Sequence, residues 1–204
     1  MKVYQEIKLL ESPEIPLHFL WSKVFQQIHL GLVEIQDNQG YVPIGLSFPE
    51  YISGEKISLL GSKLRILAKD EATLVQFNTA KWLSRLSDYV HCTSIRPVPE
   101  KITAYAIYQR QQPKTNPERL ARRYAKRLAK RESRVEDDSD YENALTQCSK
   151  RNHQPLNSPF IRLKSLSSDN NICLWIKKIP VDIQASTTHF SSYGLSSLSS
   201  VPEF

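Results

Sequence analysis

A chain of 204 residues with 40% hydrophobic content can bury one large core or two small ones, which excludes wholesale disorder. Its net charge of +6 and pI near 9.2 suit a polyanionic partner. Cys92, Cys148 and Cys173 are odd in number and widely spaced without a CxxC pair, and no apolar run approaches the roughly 20 residues that span a bilayer; we expect no disulfide framework, no structural zinc, no membrane partner and a reducing, cytoplasmic setting.

Val3, Ile7 and Leu9 alternate with Tyr4, Glu6 and Lys8, the pattern of a half-buried strand. After Pro16, the residues Leu17, Leu20, Trp21, Val24, Phe25, Ile28 and Leu32 recur at helical spacing and predict a long amphipathic helix. Tyr41 to Pro49 and Leu64 to Ala68 read as two strands. Asp70 caps a helical segment through Phe77 that continues after a break to Leu86, and Tyr89 to Ile95 returns as a strand. The order βαββαβ is the ferredoxin-like plan, in which helices cover one face of a four-stranded antiparallel sheet.

Pro97-Val98-Pro99 marks the expected boundary between a ferredoxin-like domain, 1–99, and a small α+β domain, 100–204. The second domain begins with an extended linker, 100–114, in which Ile102 to Arg110 is a connection. It continues into a basic helix, 117–131, and an acidic segment, 132–142, expected to be mobile. Phe160 to Ser165 and Ile172 to Ile176 then read as paired strands, with Thr188 to Tyr193 a last strand before a serine-rich tail. The fold class is α+β.

Arg110 to Arg131 holds nine basic residues against one acid, Glu118, a local charge of +8, so the rest of the chain sums to −2. Asn116 is a candidate N-cap, Pro117 suits the first helical position, and Glu118 complements the first turn. At about 100° per residue, Arg119, Arg122, Arg123, Lys126, Arg127 and Lys130 fall within a band roughly 140° wide, while Leu120, Ala121, Tyr124 and Leu128 lie mainly opposite. Six like charges without interleaved acids repel one another unless a polyanion neutralises them. The apolar side lacks the Phe and Trp of a membrane-surface helix, so nucleic acid is the better partner.

Chemistry is less legible. None of His18, His29, His91, His153 and His189 forms a metal-ligand pattern, and P-loop, GxGxxG and GxSxG motifs are missing from the sequence, so no metal or other cofactor is expected. His29 sits about 40° beyond Phe25, at the rim of its helix's apolar band. By pattern alone this is an ordinary rim histidine, and Ser165 and Tyr193 are ordinary strand residues.

Several motifs in order give these positions more meaning. They are the early His29, Ile44 to Pro49, Arg110-Gln111-Gln112, Lys114 to Leu120, Pro159 to Ser165, and Tyr193-Gly194-Leu195-Ser196. Over nearly its whole length the sequence resembles the CRISPR repeat-cleaving endoribonucleases of the type I-F branch. The resemblance implies a ferredoxin-like domain and an arginine-rich helix that docks on the repeat hairpin of precursor CRISPR RNA. It implies metal-independent cleavage at the 3′ base of that hairpin, retention of the guide, and assembly with type I-F effector subunits. It makes His29, Ser165 and Tyr193 catalytic, with Ser167 nearby. Arg110 and Gln112 match a linker pair that reads a guanine and an adenine. Lys114, Arg119, Arg122, Arg123, Lys126, Arg127 and Lys130 match the grip on the stem. Because side chains do not read the deep major groove of long A-form RNA, the expected ligand is a short hairpin. The sequence departs at Ile172, where the family's type member stacks a phenylalanine at the foot of the stem. The alternative is a hairpin-binding structural subunit of a CRISPR effector complex that cuts slowly or not at all.

Overall fold

The computed structural model describes residues 1–112, 117–131, 138–150, 157–164 and 171–204, without the side chains of 117–119, 138 and 148–150. The chain divides into two compact units, Met1–Gln111 with Asn157–Phe204, and Gln112–Leu156.

The larger unit begins with β1 (Val3–Leu9), α1 (Leu17–Glu34) and β2 (Ile44–Ser47), followed by a small hairpin of β3 (Ile52–Ser53) and β4 (Ser58–Leu59) that the sequence did not announce. Next come β5 (Lys63–Ala68), α2 (Glu71–Phe77), α3 (Thr79–Leu83), β6 (Val90–Cys92) and β7 (Arg96–Pro97). The first sheet has the order β2-β5-β1-β6, each neighbouring pair antiparallel, with β7 also pairing with β1. The alternation read in β1 places Ile7 and Leu9 in the core, both fully buried. The stripe read in α1 is its buried face, from Leu20 and Trp21 to Leu32.

The predicted helix break falls at Asn78, the one non-glycine residue with positive φ (50°) among the described residues. It ends α2 and caps α3 by accepting a hydrogen bond from the Lys81 N–H. Asp70 caps α2 through the Thr73 N–H at 2.9 Å, and that bond holds its carboxyl below the ordinary range.

A second sheet follows, made of β8 (Ala104–Gln111), β9 (Phe160–Lys164), β10 (Asn171–Val181) and β11 (Val201–Glu203) in the antiparallel order β11-β8-β10-β9. Two expectations are corrected here. Ile102 to Arg110 is not merely a connection, since Ala104 to Gln111 forms a full strand between β11 and β10. Thr188 to Tyr193 is not a strand: it makes one isolated bridge, Phe190 to Val42, and then turns.

The last strand is instead β11, inside the supposed tail. It is held by Glu203, whose carboxylate accepts from Ser47 Oγ at 2.7 Å and Tyr108 Oη at 3.2 Å and pairs with Lys178. Ser199 and Ser200 are buried and bonded to the backbone at His189 and Ala185, so these serines are structural. A single apolar core joins the two sheets, running from Phe25, Phe48 and Ile66 to Ile161, Leu174 and Val201.

The smaller unit contains α4 (Pro117–Arg131) and α5 (Asp138–Lys150), which pack on each other. The packing face of α4 is narrower than the sequence suggested. Ala121, Ala125 and Ala129, one turn apart, are at most 4% exposed, whereas Tyr124 is 49% exposed. The acidic segment also needs correction: residues 132–137 lie outside the described set, but from Asp138 onward the chain is helix α5. Tyr141, Ala144 and Leu145 recur at helical spacing there, and Ala144 is buried.

Candidate active site

His29 lies half-buried on α1 at the edge of the helix's core stripe. Its Nδ1 is 2.8 Å from the backbone carbonyl of Ser192. A carbonyl only accepts, so Nδ1 carries the proton; in the neutral ring the free lone pair is then on Nε2. The Tyr193 ring lies flat on the imidazole, with centres 4.3 Å apart and planes 2° from parallel. Arg110, near the end of β8, brings its guanidinium carbon to 5.4 Å from the centre of the same tyrosine ring. Three residues from three distant parts of the sequence therefore meet at the Tyr193 ring.

The loop that presents Ser192 and Tyr193 is fixed by its own hydrogen bonds. The Gly194 N–H donates to the Ser191 carbonyl at 2.7 Å, and the Leu195 carbonyl accepts from the Ser191 N–H at 2.8 Å and from its hydroxyl at 2.9 Å. Gly194 has φ of +66°, and a Cβ there would stand 2.4 Å from Leu46 Cγ, so the turn requires glycine on two grounds. The loop is also bonded outward. The Leu46 N–H of β2 donates to the Gly194 carbonyl at 3.0 Å, and the Ser196 N–H donates to the Tyr108 carbonyl of β8 at 2.9 Å. Below it, burial and the nearby Glu203 carboxylate push the Tyr108 phenol well up, so it stays neutral, its one proton shared between the Phe48 carbonyl at 3.1 Å and the Glu203 carboxylate at 3.2 Å.

A family model described as CRISPR-associated protein (Cas_Csy4) matches residues 4–204. The chain belongs to the Csy4 family. Two relatives, both named "CRISPR-associated endonuclease Cas6/Csy4", align over the full length of both chains. The one from Escherichia coli (strain UTI89 / UPEC) is 31% identical over 206 residues, and the one from Pseudomonas aeruginosa (strain UCBPP-PA14) is 34% identical over 204 residues. A solved structure titled "An RAMP protein binding different RNA substrates" is similar over 98% of this chain and 99% of that one, but at 11% identity and a TM-score of 0.36 the likeness carries no weight.

Of the residues singled out in this Csy4-family sequence, the larger unit brings His29, Tyr193 and Arg110 together. Ser165, Ser167 and Lys114 lie outside the described residues, as does the side chain of Arg119. Gln112 is exposed directly beyond β8. On α4, Arg122, Arg123, Lys126, Arg127 and Lys130 are exposed, with Arg127 Nε bonded to the Arg123 carbonyl at 3.3 Å. Ser192 was missed. It meets His29 through a main-chain oxygen, for which no residue type is diagnostic; the signal was the Ser-Ser-Tyr-Gly turn composition at the end of what read as a strand.

Among the described residues no three His, Cys, Asp or Glu side chains gather closely enough to hold a metal ion, and no helix is long and apolar enough to cross a membrane.

Proposed function

We propose that this protein is a CRISPR precursor-RNA endoribonuclease that binds a short repeat hairpin and cuts at its 3′ base, using His29 as the proton carrier. The observation that carries this reading is the bond from His29 Nδ1 to the Ser192 carbonyl, which leaves Nε2 as the free ring atom. The ribose 2′-hydroxyl beside the scissile phosphate attacks phosphorus, the bond to the 5′-oxygen breaks, and the products are a 2′,3′-cyclic phosphate and a 5′-hydroxyl. RNA supplies its own nucleophile, so the protein contributes positioning and proton transfer without a metal. Whether His29 takes the proton of the 2′-hydroxyl or supplies one to the leaving oxygen, the transfer passes through Nε2. Tyr193 holds the imidazole plane, and Ser165 fixes the 2′-hydroxyl or ribose, with Ser167 beside it.

Recognition is assigned to the cationic band of α4 and to the linker. Lys114, Arg119, Arg122, Arg123, Lys126, Arg127 and Lys130 hold stem phosphates, while Arg110 and Gln112 read bases. Residues 1–99 serve as a ferredoxin-like domain that carries His29, a reading supported by the antiparallel order β2-β5-β1-β6, and residues 100–204 serve as the RNA-binding domain, which also supplies Ser165 and Tyr193. After cutting, the protein stays on the guide and joins type I-F effector subunits. The endonuclease names of the two relatives support the same reaction class.

The test is a labelled repeat hairpin with its 3′ flank, incubated in EDTA. A cyclic-phosphate product, lost with His29→Ala and with a 2′-deoxy substitution at the cleavage nucleotide, is the expected result. Cleavage of the 2′-deoxy RNA refutes the mechanism. Tight hairpin binding without any product would assign the chain to a structural role instead.

A further inference from the structure

A second feature of the larger unit lies away from His29 and has no part in the reaction above. At the start of α1 a groove of about 530 Å³ opens between Leu17 and Trp21 on one side and Pro159 and Phe160 on the other, with His18 and Arg162 also lining it. That volume falls in the range of small-ligand sites. Its aromatic wall is exposed: Phe160 is 40% accessible and backed by Trp175, ring centres 4.5 Å apart. The Arg162 guanidinium carbon lies 5.8 Å from the Phe160 ring centre. No Asp or Glu lines the groove, so its charge is cationic. An aromatic face beside an arginine is the combination that stacks a nucleobase and meets its phosphate, and it is tolerant of sequence because every base has a π-face.

The position fits as well. His18 and His29 are eleven residues apart on α1, which brings them within about 20° of one direction around the helix and about 17 Å apart along it. His18 at the groove and His29 thus lie on one side of the same helix, an interval that a short single-stranded segment spans.

We propose that this groove binds an unpaired nucleobase of the RNA strand on the 3′ side of the cut, stacked on Phe160 with its backbone held by Arg162. The assignment rests on the endoribonuclease reading and adds to it a grip on single-stranded RNA outside the hairpin. A protein loop with an apolar side chain would fit the walls but leaves Arg162 and His18 without a role.

Fluorescence anisotropy with three RNAs tests it, each carrying a 2′-deoxy cut nucleotide: the hairpin alone, the hairpin with a short 3′ flank, and the same flank made abasic. The flanked RNA is expected to bind most tightly, and removing its bases to abolish the gain. Phe160→Ala is expected to weaken the flanked RNA on the order of tenfold, the scale of one lost base–aromatic stack, and clearly more than the hairpin alone. Arg162→Glu, on an exposed position of β9, is expected to do the same without disturbing the core. A flank that adds no affinity in the wild type, or variants that weaken both RNAs equally, would overturn the proposal. If the wild type still cuts an all-ribose flanked hairpin in that case, only the groove assignment falls. A wild type that ignores the hairpin overturns both readings.

Discussion

Replacing Gly194 by alanine tests whether the 191–196 loop sets the geometry at His29. The new Cβ would lie 2.4 Å from Leu46 Cγ, 2.8 Å from Leu46 Cδ1 and 3.3 Å from Leu32 Cδ1, at a φ of +66°. The left-handed conformation costs a non-glycine residue about 1–2 kcal/mol, and overpacking in a filled core adds about 1–3 kcal/mol. The total, about 2–5 kcal/mol, corresponds to a fall in melting temperature of roughly 4–20 °C for a chain of this size. Gly40→Ala is the control, because φ there is +86° but the nearest atom, Gln36 Nε2, is 3.5 Å away. Strain alone applies, and a loss of about 1–2 kcal/mol is expected.

The second readout is single-turnover cleavage of the repeat hairpin, measured well below both melting temperatures. To relieve the clash the loop must move, taking the Ser192 carbonyl and Tyr193 ring from the imidazole. Displacements near 1 Å can cost on the order of a hundredfold in rate, so Gly194→Ala is expected to lose at least tenfold and Gly40→Ala none. Equal melting temperatures together with wild-type cleavage by Gly194→Ala would refute the claim that this turn positions the site.

Tyr193→Phe keeps the ring on His29 and is expected to cut within about twofold of wild type, whereas Tyr193→Ala removes an aromatic contact worth about 0.5–1.5 kcal/mol and should slow single-turnover cleavage roughly three- to tenfold. Arg123→Ala should weaken hairpin binding and reduce the slope of log affinity against log salt by about 0.7–0.9 if that side chain neutralises one phosphate, which a KCl series read by anisotropy measures. Glu50 accepts from the Ser62 N–H at 2.7 Å and the Ser62 hydroxyl at 3.0 Å, and these bonds, with Lys63 nearby, hold its carboxyl below the ordinary range. A carboxyl depressed in the folded state contributes stability above the unfolded value that is lost as pH falls through the folded one. Glu50→Gln should therefore melt below wild type at neutral pH, with the difference shrinking as the pH of a thermal series falls below the ordinary glutamate range.

Periodicity carried α1 well, because one stripe of large side chains decides both that a helix forms and which side is buried. It could also place His29 at the rim. It could not pair that histidine with a partner 163 or 164 positions away, since register between distant segments is set by tertiary packing. Tyr193 came from family resemblance, and Ser192 was invisible because its working atom belongs to the backbone. Thr188 to Tyr193 looked extended by composition, yet Gly194 and the Ser191 hydroxyl favour a closed turn whose bonds compete with any ladder. The serines near the C-terminal end suggested a tail, because their burial depends on partners such as His189 that lie in loops. On α4 the large apolar residues drew attention from the alanines, although small side chains are what allow a neighbouring helix to come close. Acidic charge similarly masked the helical spacing of Tyr141, Ala144 and Leu145 in α5.

The 191–196 loop belongs to neither sheet, but its backbone is bonded to β2 in one and β8 in the other. It behaves as a strut between two plates, so the angle of the His29 imidazole is a gauge of how those plates sit on each other. A substitution deep between the sheets, far from any RNA, would then register first as a misaimed Nε2 and only later as a loss of fold. Cleavage rate should be the more sensitive reporter of packing in this core, ahead of melting temperature.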